Sequence, residues 1–248
     1  MSKKQKTYHL MILDKSGSMG SVRDVTISGL NEQLGSIKKA EEDFLDQEQI
    51  VCFVTFNNNV DTDQIWNSKI TDIEDFNQTS YAPGGMTALY DAVGMGIDKL
   101  KDQIKDELAS RSANVVVTIF TDGSENVSRE YSGSQVKELI EEIQEAGQWT
   151  VAFVGCGDDV FNVAEAMGIS RGNTMAYDAG VEGTTRAFTS MSQARYGRAQ
   201  SYSQANTKGI STANVNNEVD FFENIDLEDN PPTMQTDGPD SAIDITDN

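Results

Sequence analysis

The chain has 248 residues, of which 38% are hydrophobic, and a formal net charge of −21 at pH 7. That length suits one α/β domain, or one domain with a tail, and the low apolar share points to a portion outside the packed core. So acidic a molecule is repelled by nucleic-acid backbones and anionic membrane surfaces, which excludes both as primary partners.

At the N-terminus, Ser2-Lys3-Lys4-Gln5-Lys6 is basic, but the apolar run behind it is short and ends in Asp14. It lacks the small-residue cleavage site of a signal peptide, and no stretch of the chain approaches a membrane span in length. A cytoplasmic protein is expected, in which Cys52 and Cys156 are free thiols. The single histidine, His9, leaves little material for zinc binding or histidine-based catalysis and reads as a structural or surface residue.

Thr7 to Leu13 reads as the first strand. Val22, Val25, Leu30, Leu34, Ile37 and Phe44 recur at near-helical spacing, so a helix is expected from Ser21, a plausible N-cap, to about Phe44. Ile50 to Phe56 is a second buried strand, and the Asn57-Asn58-Asn59 turn leads to an antiparallel edge strand over Val60 to Trp66. After Pro83-Gly84-Gly85, the residues Leu89, Val93, Ile97, Leu100, Ile104 and Leu108 form the clearest helical stripe. Val115 to Phe120 is a β-branched run of the kind covered on both faces of a parallel sheet. Val136, Leu139, Ile140 and Ile143 mark another helix, with Gly147 where its C-terminal cap belongs. Thr150 to Val154 is a strand, a short helix follows from about Asp159 to Met167, and Thr174 to Tyr177 forms the last strand. Glu182 to about Arg198 reads as the final helix, with Phe188 and Met191 inward. This alternation implies a doubly wound, mostly parallel sheet.

After Ser201 the character changes, to one basic residue, Lys208, against ten acids among polar amides and hydroxyls. The chain is therefore divided into a folded domain, 1–200, and an acidic tail, 201–248, expected to be largely disordered. Within the tail, residues 219–229 mix apolar and acidic side chains; they read either as a docking segment or as part of a plain solubilising tail.

The chemistry concentrates where the first strand stops. Leu10-Met11-Ile12-Leu13 gives way abruptly to Asp14, with Ser16 and Ser18 at alternate positions after it. A strand-end acid is poorly hydrated and needs a partner. By itself the tripeptide reads first as a turn whose side chains accept backbone N–H groups, and second as a set of oxygen ligands suited to a hard cation. Ligands in open α/β sheets bind beyond the carboxyl ends of the strands, where the winding reverses. Were the first strand and the Val115 strand neighbours there, Asp14 and Asp122 would enter one crevice, with Thr87 supplied by a third loop.

At these residues the chain resembles the von Willebrand factor A family, whose metal-ion-dependent adhesion site has the pattern Asp-x-Ser-x-Ser, a distant Thr, and a distant Asp followed by Gly. Asp14, Ser16, Ser18, Thr87 and Asp122-Gly123 match every position. The resemblance extends over roughly Thr7 to Arg198, and looks closest to small stand-alone bacterial members with similar Thr121–Asn126 and Ser128–Tyr131 stretches. It implies a Rossmann-like six-stranded sheet of order 3-2-1-4-5-6, helices on both faces and the third strand an antiparallel edge. In that order Cys52 and Cys156 are three strand spacings apart, too far to bridge. It also implies a magnesium ion, with manganese or calcium as substitutes, held directly by Ser16, Ser18 and Thr87 and often through water by Asp14 and Asp122.

Neutral hydroxyls in the inner shell leave such a metal electron-poor, so it attracts one more anionic oxygen. The reading that follows is a metal-dependent interaction module whose partner protein offers an Asp or Glu; the chain's own acidic tail or a neighbouring copy offers the same group. The alternative is a metal-dependent hydrolase or phosphoryl-transfer enzyme with Asp14 as nucleophile. Against it, the chain has no Walker-type loop and no Gly-x-Ser-x-Gly elbow.

Overall fold

A computed structural model describes residues 4–223 and 225. Six strands make one sheet: β1 (Gln5–Asp14), β2 (Gln47–Phe56), β3 (Val60–Lys69), β4 (Ala113–Thr121), β5 (Trp149–Cys156) and β6 (Thr174–Tyr177). Their order is 3-2-1-4-5-6, with β3 antiparallel to β2 and every other pairing parallel. Among the described residues seven α-helices accompany them: α1 (Arg23–Asp43), α2 (Leu89–Gln103), α3 (Lys105–Ala109), α4 (Gly133–Glu145), α5 (Val160–Ala166), α6 (Val181–Lys208) and α7 (Thr212–Glu218).

Side-chain alternation along the strands builds two cores. Leu10 and Ile12 of β1 pack with Leu89 and Val93 of α2 and with Val136 of α4, while Met11 and Leu13 pack with Leu30 of α1 and with Phe188 and Met191 of α6. Both faces are covered, which is why the central strands read as continuous apolar runs. The winding reverses between β1 and β4, so both C-terminal ends, Asp14 and Thr121-Asp122, open into the same crevice. Cys52 lies on β2 and Cys156 at the end of β5, with β1 and β4 between them, and both are free thiols. Among the described residues no helix is long and apolar enough to cross a membrane.

Three local expectations are corrected. Ser21 does not cap α1; a 3-10 turn over Ser18–Val22 precedes the helix, and the Ser21 hydroxyl bonds back to the Ser18 carbonyl. The long apolar stripe is divided at Ile104, where the backbone departs from helical angles between α2 and α3.

The third concerns the tail. The division at residue 200 falls inside α6, which continues to Lys208 and is followed by α7. Its polar composition hid this because much of that polarity is satisfied against the domain. The Tyr202 hydroxyl donates to Asn216, Asn216 donates to the Gly147 carbonyl, and Thr212 donates to Asn114 on β4. Arg198 closes the turn by donating to the Val215 and Val219 carbonyls. Phe221 and Phe222 of the expected docking segment 219–229 are buried in the α1/α6 core and so are turned toward their own domain. The expectation of disorder for 226–248 lies outside the described residues.

Candidate metal centre

Asp14 ends β1 fully buried, and both of its carboxylate oxygens are engaged. One accepts the Ser16 N–H at 2.6 Å and the other the Thr121 hydroxyl at 2.6 Å. Below it, the buried Tyr81 hydroxyl donates to the Asp14 carbonyl at 2.7 Å. The loop after Asp14 is held by two neighbours. Lys15 N–H donates to Phe56, Gly84 N–H donates to Lys15, and Gly17 N–H donates to Gly85. Gly85 sits at φ +89°, and a Cβ there would fall 2.2 Å from the Asn58 side-chain oxygen, so this close approach requires glycine.

From that frame the hydroxyls converge on the second acid. Ser16 and Ser18 have their Oγ atoms 3.1 Å apart, and Ser18 donates to Asp122 Oδ1 at 2.6 Å. Thr87 enters from the N-terminal side of α2. A Cβ built on Gly123 would come within 3.2 Å of Thr87 Oγ1 and 3.8 Å of Asp14 Oδ2, so these three segments meet around one small space. All five residues singled out in the sequence therefore gather at the C-terminal edge of the sheet. Ser16 and Thr87 are buried, Asp122 is half-buried and Ser18 is exposed.

Burial pushes both carboxyl groups above the usual carboxylate range, against the lowering effect of their hydroxyl and N–H donors, and Asp122 raises Asp14 further. Among the described residues no basic side chain is ion-paired with either acid. Two partly desolvated acids beside three hydroxyls, without a cationic side chain, form a donor set of hard oxygens that fits a divalent cation. A cavity that includes Asp122, lined by Gly123, Cys156 and Val163 among others, measures about 60 Å³. That is far below the several hundred Å³ of a small-molecule site.

Several contributors escaped the sequence reading. Thr121 orients Asp14, Asn57 and Asn58 hold the 84–88 loop, and Asn126 pairs with Thr87. The signal for two of them was present in the Thr121-Asp122-Gly123-Ser124-Glu125-Asn126 stretch, but their roles need the loop geometry.

Comparison with known proteins gives a consistent picture of the fold. Residues 10–192 match the family described as von Willebrand factor type A domain. No curated protein sequence matches significantly. Among solved structures, a point mutant of the PilB minor pilin from Streptococcus sanguinis superposes with a TM-score of 0.51 at 13% identity, covering 83% of this chain and 64% of the pilin. The SpRpn10 VWA domain gives 0.50 at 9% identity, covering 74% of this chain and 93% of that domain. Proximal thread matrix protein 1 from the mussel byssus, in a form with a zinc-occupied MIDAS motif, gives 0.49 at 15% identity, covering 75% of this chain and 47% of its own. The chain thus spans about half to two thirds of the first structures it matches, with 47% and 64% of their lengths covered.

Proposed function

The chain belongs to the von Willebrand factor type A family, and from that premise we propose that Asp14, Ser16, Ser18, Thr87 and Asp122 hold a divalent cation through which the protein grips a partner. Magnesium is the expected ion, with manganese and calcium as substitutes. The observation that carries this reading is the gathering of five oxygen-bearing side chains from three segments, among them the buried Asp14 and the half-buried Asp122, with no basic partner among the described residues. A bound cation would supply an electrophilic position at the exposed Ser18 side of the site, and the chain's own residues would orient it. Three neutral hydroxyls withdraw little of its charge, so an Asp or Glu carboxylate of another protein is the ligand the site selects. Acidic residues of this chain beyond 225, or of a neighbouring copy, carry the same group and compete for the position.

Nothing in the geometry favours the hydrolase alternative. Both Asp14 oxygens are engaged and the side chain is buried, so it is poorly placed as a nucleophile.

Titration calorimetry with magnesium is the direct test. The wild type is expected to bind, and Asp14→Ala to lose binding. Capture of a partner should follow the metal: if Asp14→Ala and chelation both left capture unchanged, this reading would be wrong.

A further inference from the structure

We propose that Asn126 is the positioning residue for Thr87, so that the loop carrying Asp122 also sets the aim of the third hydroxyl. This rests on the metal-site reading above. The segment after β4 folds back over the start of α2 and makes bonds that α2 does not make for itself, since no side chain at its N-terminus caps it. Asn126 Oδ1 accepts the Thr87 N–H at 2.9 Å, and the Asn126 N–H donates to the Thr87 carbonyl at 3.1 Å. A residue held at both its N–H and its C=O has little freedom left in φ and ψ, which direct its side chain.

The neighbouring bonds make the pair rigid. Glu125 accepts the Tyr90 N–H at 2.9 Å and the Ser128 hydroxyl at 2.7 Å with one oxygen, and the Val127 and Ser128 N–H groups with the other. The Ser128 hydroxyl in turn accepts the Asp91 N–H, and Asp91 accepts the Arg129, Glu130 and Tyr131 N–H groups. Two orphan donors of the first turn of α2, Tyr90 and Asp91, are thereby satisfied from the 125–131 loop. Thr87 and Asp122, 35 residues apart in the chain, are thereby tied into one body. Preformed ligands lose less freedom on binding, and partners that orient metal ligands are typically worth about 10–100-fold in affinity.

The test is a double-mutant cycle read by magnesium calorimetry, with melting curves to show that each variant is folded. Asn126→Ala should weaken magnesium binding by about tenfold. In a Thr87→Ala background the same change should do little, because the hydroxyl it aims is gone. Asn126→Asp keeps an acceptor for the Thr87 N–H and should restore affinity to within about threefold of wild type. Hydrogen exchange on the metal-free protein gives an independent readout, in which Asn126→Ala speeds exchange of the Thr87 amide. Unchanged magnesium affinity in Asn126→Ala overturns the proposal. So does a loss of equal size with and without Thr87, which would make Asn126 a general support of the loop. If Asp14→Ala and Thr87→Ala themselves leave magnesium binding intact, the site reading fails instead, and the exchange result alone decides whether Asn126 holds Thr87.

Discussion

Arg195 lies on α6 with 1% of its surface exposed and, among the described residues, no carboxylate as a hydrogen-bond partner. Its guanidinium donates to Gln33 Oε1 at 3.0 Å, to Thr118 Oγ1 at 2.8 Å and to His9 Nδ1 at 2.7 Å. Because a guanidinium only donates, His9 Nδ1 must accept, and the ring proton sits on Nε2, facing Gln49 Oε1 at 2.7 Å. His9 is therefore held neutral. Burial, and then the Arg195 charge, lower its pKa to about 3, while burial lowers that of Arg195 to about 9. An unfolded histidine titrates near 6.5, so below that pH the unfolded chain takes up a proton that the native state refuses. Stability should be level with respect to this group above pH 6.5 and fall as pH drops toward 3, by roughly 1.4 kcal/mol per pH unit within the window. Urea melts at pH 6.5 and pH 5 should show wild type losing about 2 kcal/mol more than His9→Asn, since every other group titrates in both. Equal slopes in the two proteins would show that His9 is not held neutral.

At the scale of elements, α6 organises the second face of the sheet. Its inward stripe runs Phe188, Met191, Arg195, Arg198 and Tyr202, alternating steps of three and four residues, and all five are buried. The end of the chain is bound to this helix. Phe221 and Phe222 meet edge to face at 5.0 Å between ring centres, and Arg198 lies over Phe221 at 5.9 Å. Emptying that position should be felt as a core substitution. Phe221→Ala is expected to remove about 3 kcal/mol, which for a chain of this size lowers Tm by roughly 10 °C. A thermal melt within about 2 °C of wild type would mean that the aromatic pair is not part of the cooperative fold.

Considered whole, the molecule joins a compact metal-type site to a strongly acidic chain. Seven of the acids lie beyond residue 225: Asp226, Glu228, Asp229, Asp237, Asp240, Asp244 and Asp247. Any carboxylate on the same chain is present at an effective concentration of order millimolar if its linker can span the distance, and 23 residues can reach up to about 75 Å. Truncation after Ile225 is the appropriate cut, because a cut at 200 would remove Tyr202 and the buried aromatic pair. If these acids compete for the metal, the truncated chain should bind magnesium more weakly, having lost a ligand, and a carboxylate-bearing partner more tightly. Calorimetry that finds both affinities unchanged would leave the acids as a solubilising extension.

Much of this was legible in the sequence. Strand and helix succession followed from the period of apolar residues, because both faces of a parallel sheet must be buried and each helix must turn one face inward. The five oxygen residues were legible as well, since their spacing repeats a known pattern at the ends of strands. What the sequence left undecided depended on which polar groups meet. A stretch of Ser, Gln, Asn and Ala after residue 200 has the composition of a disordered tail, yet Tyr202 donates to Asn216, Asn216 donates to the Gly147 carbonyl in the α4–β5 turn, and Thr212 donates to Asn114 on β4. His9 could equally have been exposed until Arg195, 186 residues away, was found against its ring. Asn126 had no assignable role until its loop crossed Thr87. Apolar periodicity is a property of neighbours in sequence and can be read from them. Satisfaction of polar groups is pairwise, directional and long-range, and so only the tertiary structure decided it.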